Sequence, residues 1–153
     1  MLICDCRKRE LIINDKTIEL PPSLFAIYLY YLTRRTSGCK ENNLPVCGDC
    51  TACFEPLFQT TQTTKKLVQL YKKIYGEDSE HYQNLKSKLL ERKSSTYDMY
   101  LQKISKINRQ IRENLDEPAE PFLISSEGKY AFKVYGIRLD KNRINILHNG
   151  KQI

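Results

Sequence analysis

Cys47, Cys50 and Cys53 recur every third residue in one short polar segment, with Cys39 just upstream. Thiolates at that spacing let a tight loop aim several sulfurs at one point, as a tetrahedral metal needs. Cys39, Cys47, Cys50 and Cys53 supply four sulfurs, the complement of a closed structural zinc site. Cys4 and Cys6 are substitutes for Cys39 if the N-terminus folds back. The spacing also suits an iron–sulfur cluster, and free thiols, buried or exposed, are the third reading. A closed four-thiolate site has no open coordination position. Its expected job is to staple a loop that has few apolar residues, not to catalyse.

A second constellation is cationic. Between positions 86 and 112 stand Lys86, Lys88, Arg92, Lys93, Lys103, Lys106, Arg109 and Arg112, opposed only by Glu91 and Asp98. The whole chain carries a formal charge of +7 over 153 residues. A local field of that sign attracts phosphate backbones or anionic surfaces; the plainer alternative is a solvated helical face rich in lysine. No catalytic set accompanies it. His81 and His148 have no partner at ligand spacing, Ser94 and Ser95 precede a helix and suit a cap, and Gly48 stands alone where a phosphate loop would need several glycines. An enzyme is therefore not expected.

The elements that must position these groups follow from periodicity. Leu11-Ile12-Ile13 and Thr17-Ile18-Glu19-Leu20 flank Asn14-Asp15-Lys16 and predict a hairpin. Pro21-Pro22 stops the ladder, and the second proline opens a helix over 23–35 that is apolar almost all round and belongs at the centre of a core. Residues 39–62 form an irregular Cys-rich insertion. Helices follow around Leu67, Leu70, Tyr71 and Ile74, ended by Gly76, and around Tyr82, Leu85, Leu89 and Leu90. The clearest helix spans 95–115: Tyr100, Leu101, Ile104, Ile107, Ile111 and Leu115 make one apolar stripe. Opposite it lie Gln102, Lys106, Arg109, Gln110 and Glu113, with Lys103 and Arg112 on the flanks. Strands are expected at 122–125 and 130–139 around a turn where Gly128 supplies a positive φ. Residues 140–153 are a polar tail, with a last short strand at Ile144-Asn145-Ile146.

Hairpin, buried helix, helices, basic helix, hairpin is the order of a winged helix-turn-helix, in which the last helix enters the major groove and the hairpin flanks it. The leading hairpin is similar in pattern to the OmpR/PhoB-type subclass. A closer resemblance rests on Glu19-Leu20-Pro21-Pro22-Ser23-Leu24-Phe25-Ala26-Ile27-Tyr28, on the stretch 100–115 with Lys106-Ile107-Asn108-Arg109 followed by Ile111 and Leu115, and on Pro121-Phe122-Leu123-Ile124 and Tyr135-Gly136-Ile137. Together these resemble the C-terminal part of a family of CRISPR-associated proteins in which a CARF domain, a sensor of cyclic oligoadenylate, precedes a winged-helix tail. The likeness covers most of residues 7–146. The CARF part has no counterpart here, so neither ligand sensing nor ring-nuclease activity is carried over, and the Cys insertion is not a family hallmark.

The expectation is thus a single α+β, mostly α, winged-helix domain over residues 1–153, bearing the Cys-rich insertion and holding structural zinc. It would bind nucleic acid, DNA foremost, as a regulatory or accessory module of CRISPR defence. Lys106 and Arg109 would be the outward contacts, Lys103 and Arg112 would touch phosphate, Gln102 and Gln110 would read base edges, and Lys129 and Lys133 would serve from the wing. The alternative is a dimerisation or CARF-partner module without nucleic-acid contact, using Tyr28, Tyr30, Tyr31, Tyr71 and Tyr75 as an amphipathic interface. No run approaches the roughly 18 apolar residues of a membrane span, no secretory signal is visible at 1–6, and a cytoplasmic location is expected.

Overall fold

A computed structural model describes residues 1–37, 51–57, 60–90, 96–129, 133–148 and 151–152. Among these the chain is α+β, about half helical, with four α-helices and two small sheets.

The first sheet is built from both ends of the chain. Strands β1 (Leu2–Asp5), β2 (Glu10–Ile13) and β3 (Lys16–Glu19) form an antiparallel meander. The β2–β3 turn has two residues, and Asn14 sits at φ 53°, the left-handed region that asparagine tolerates better than other side chains. β7 (Ile144–His148) runs parallel beside β1, and β8 (Lys151–Gln152) closes the order β3-β2-β1-β7-β8. The expected hairpin is present. β1 was not expected, because the early charge at Asp5 masks an alternation whose inward members are Leu2 and Cys4. The short strand expected at Ile144-Asn145-Ile146 within the polar tail is present and runs on to His148. Ile144 and Ile146 are buried and pair with β1, so residues 144–148 form an inner strand of the sheet.

Helix α1 (Pro22–Thr36) is the central rod. Its start lacks a side-chain cap, but Pro at the first turn has no N–H to satisfy, and Phe25 N–H bonds to Pro21 O. Ten of its residues are buried. These include Tyr28, Tyr30 and Tyr31, and Tyr71 of α2 is buried too. The tyrosine interface of the alternative reading is therefore overturned: four of its five rings fill the core, with Tyr75 packed against it. The hydroxyls are satisfied internally, Tyr28 on Phe122 O, Tyr30 on Glu55 and Tyr71 on Pro22 O.

Helices α2 (Thr60–Tyr75), α3 (Glu80–Leu90) and α4 (Thr96–Asn114) surround α1. α2 ends at Gly76 as expected, and Ser79 Oγ accepts the Tyr82 N–H to start α3. Thr64 and Tyr100 share a buried hydroxyl–hydroxyl bond of 2.9 Å that ties α2 to α4.

The second sheet has three short strands, β4 (Glu55–Pro56), β5 (Ser125–Glu127) and β6 (Val134–Gly136), in the order β4-β6-β5, all antiparallel. The terminal hairpin expected at 122–125 and 130–139 is shorter and starts later. Pro121 and Phe122 sit in a 3-10 turn (Glu120–Phe122), and the backbone of Ile124 is already engaged by a side chain, so the ladder begins only at Ser125. Gly128 has φ 92°, as its turn requires.

Candidate nucleic-acid interface

The apolar stripe of α4 packs inward: Tyr100, Ile104, Ile107 and Ile111 are buried, as is Leu115 just past the helix. At 100° per residue the opposite face carries Gln102, Ser105, Lys106, Arg109 and one acid, Glu113, all exposed, with Arg112 exposed at its margin. Gln102, Ser105, Lys106 and Arg109, with Leu101, line a shallow depression of about 440 Å³. Among the described residues no acid pairs with Lys106, Arg109 or Arg112.

Two of the residues expected to contact nucleic acid are only partly exposed. Lys103 is half-buried and its ammonium donates to Ser23 Oγ at 3.1 Å, so it braces α4 against the start of α1. Gln110 is half-buried as well. Both stand about a quarter turn from the centre of the exposed face, where the helix surface already curves toward its neighbours. On the hairpin, Lys129 is exposed just after Gly128, and the Lys133 ammonium lies 6.0 Å from the centre of the Tyr135 ring. Glu127, the acid of this hairpin, is paired with Arg138, whose guanidinium lies 5.1 Å from the Phe54 ring centre.

The hairpin is mounted on the helices at three points. Asn108 Nδ2 donates to Ile124 O and Asn108 Oδ1 accepts from Ile124 N–H, both at 3.0 Å. Tyr28 OH donates to Phe122 O at 2.6 Å, where the chain enters the hairpin. Arg35, fully buried, donates from Nε to Leu139 O at 2.8 Å, where the chain leaves. α1 thus grips both ends of the hairpin and α4 grips its entrance. Sequence reasoning missed all three anchors. Asn108 had a detectable signal, a polar residue bordering the apolar stripe of α4. Arg35 had none, because a terminal arginine on an apolar helix is expected to reach solvent.

The thiols divide into two groups. Cys39, Cys47 and Cys50 lie outside the described residues. Cys53 is buried beside Phe54, in a small cluster with Val134. Cys4 and Cys6 belong to the main core with no exposure, separate from that cluster. Burial, with a hydrogen bond to Cys6, pushes the Cys4 thiol well above its ordinary value. Among the described residues no group of three His, Cys, Asp or Glu side chains is gathered to hold a metal. None of the described helices is long and apolar enough to cross a membrane.

Fold and site together define an α+β protein with a helix face whose cations have no acid partner among the described residues, and a hairpin anchored to the helices. No protein-family model, curated protein or solved structure matches the chain.

Proposed function

We propose that this chain is a winged-helix module that binds nucleic acid, DNA foremost, through α4 and the β5–β6 hairpin. The connectivity supports it: a strand, β4, follows α1, precedes α2, α3 and α4, and pairs with β6, the last strand of the hairpin that comes after them. The observation that carries the reading is the outward row Lys106, Arg109 and Arg112, free of acid partners among the described residues. Its exposed neighbour Gln102 would read a base edge, and the exposed Lys129 would serve from the hairpin. A role as a regulatory or accessory module of CRISPR defence rests on the family resemblance alone.

The module's Cys-rich segment is proposed to hold structural zinc through Cys39, Cys47, Cys50 and Cys53. Cys53 fits as a buried thiol at the edge of the segment, and bound zinc would hold the loop closed without taking part in a reaction. Elemental analysis of purified protein is expected to give one zinc per chain; none would remove the staple.

The test of the main reading is a gel shift with the double variant Lys106→Glu/Arg109→Glu. Duplex binding should be lost while the thermal unfolding midpoint stays put, because both side chains are solvated. Unchanged binding by a folded variant would reject this helix face.

A further inference from the structure

A second cationic hollow, of about 340 Å³, lies between the C-terminal half of α1 and one side of α2. Lys66, Gln69, Leu70 and Lys73 recur at three, one and three residues, which puts them on one stripe of α2. That stripe faces Tyr30 and Arg34 of α1 across the hollow. Three of the described lining residues are therefore cations and none is an acid. One carboxylate, Glu55, engages the lining: it accepts from Tyr30 OH, pairs with Arg34 Nε at 3.4 Å and interacts electrostatically with Lys66. Glu55 thus positions the guanidinium and, as a single negative charge shared between Arg34 and Lys66, leaves the three cations in excess. Like charges gathered round a concavity raise its potential, and an anion seated there relieves the repulsion.

The neutral part of the lining narrows the ligand further. Thr33 donates its hydroxyl hydrogen to Leu29 O at 2.8 Å, and Ser37 donates its own to Thr33 O at 2.9 Å. Both hydroxyl oxygens keep lone pairs, so this wall accepts hydrogen bonds while the lysines and Arg34 donate them. Leu70 and Tyr30 add an apolar side. A hollow of this size is at the small end of small-molecule sites.

We propose that this hollow binds a small organic phosphate bearing hydroxyl groups, with Arg34, Lys66 and Lys73 on the phosphate and Thr33 and Ser37 accepting from the hydroxyls. The site is built on α1 and α2 and shares no residue with the α4 face, so it stands independently of nucleic-acid binding.

Amide chemical shifts of the full chain, titrated with ribose 5-phosphate, inorganic phosphate or ribose, test it. Ribose 5-phosphate should shift Ser37, Lys66, Gln69 and Leu70 saturably and bind more tightly than inorganic phosphate, with ribose inert. The exposed-site variant Lys66→Gln/Lys73→Gln should weaken binding about tenfold or more, as loss of charge-assisted contacts requires, and Lys106→Glu/Arg109→Glu should leave it unchanged. Absence of saturable shifts, or equal affinity for ribose 5-phosphate and inorganic phosphate, would overturn the assignment. So would an oligonucleotide that moves these amides when ribose 5-phosphate does not.

Discussion

The side-chain amide of Asn108 pairs with the backbone of Ile124 as a neighbouring strand would, giving one hydrogen bond and taking one, each 3.0 Å long. The pairing has two effects. It satisfies a buried residue before the β5–β6 ladder can, and it fixes the hairpin at a set height above α4, the helix that carries Lys106 and Arg109.

Asn108→Ala should therefore destabilise the protein by about 2–3 kcal/mol, since it leaves two backbone groups at Ile124 unpaired. Asn108→Asp keeps the acceptor for Ile124 N–H but faces Ile124 O with an oxygen, so it should not restore stability. Urea unfolding measures both. Hydrogen exchange of the Ile124 amide should accelerate in Asn108→Ala well before global unfolding. An unchanged exchange rate would mean the clamp does not hold the hairpin.

Binding to duplex DNA should weaken linearly on a log–log plot against salt. With Lys106, Arg109, Arg112 and Lys129 on phosphate the slope is expected between about −3 and −4. Lys103→Ala should change that slope little and lower stability slightly, because Lys103 is spent on Ser23. Fluorescence anisotropy at several salt concentrations separates the two classes of lysine, and a Lys103→Ala slope reduced as much as that of Lys106→Ala would contradict the structure.

Gly136 lies so close to Phe54 that an added Cβ would sit 2.2 Å from a ring carbon. Gly136→Ala must push the ring out of its buried position, at a cost of about 1–3 kcal/mol. The thermal midpoint should fall, and pairing of Gly136 with Ser125 across β5–β6 should loosen. A wild-type midpoint would show that the ring yields freely.

Alkali should unfold the protein cooperatively. Burial raises the phenols of Tyr28, Tyr31, Tyr75 and Tyr100, and pushes Tyr71 up to about 12. The folded chain thus holds these protons more tightly than the unfolded one. Stability is complete below the ordinary tyrosine value of about 10 and falls as pH rises through the raised values. Absorbance at 295 nm should show the buried phenols ionising together with loss of circular dichroism. Full ionisation of all ten tyrosines near pH 10 with the helix signal intact would contradict the burial described here.

Much of the architecture was legible in the chain because local rules and tertiary packing agree there. Pro22 opens α1, Gly76 ends α2, the stripe of Tyr100, Ile104, Ile107 and Ile111 defines α4, and Gly128 turns the hairpin. Each needs only a period or a special φ. The exposed row of Gln102, Lys106, Arg109 and Arg112 follows from the same period, since what is opposite a buried stripe faces water.

The sequence by itself therefore determined which segments become helices, where the terminal hairpin turns and which face of α4 is charged, because those depend on neighbours within a few residues. Only the tertiary structure decided that β1 pairs in parallel with β7 across the length of the chain. It also decided that Lys103 bends to Ser23, that Arg35 and Asn108 hold the hairpin, and that tyrosines suited to a surface fill the core. The physical reason is common to all of these: a side chain's partner is chosen by what lies beside it in space. For these residues that neighbour lies 16 to 140 or so positions away, beyond the reach of any periodicity.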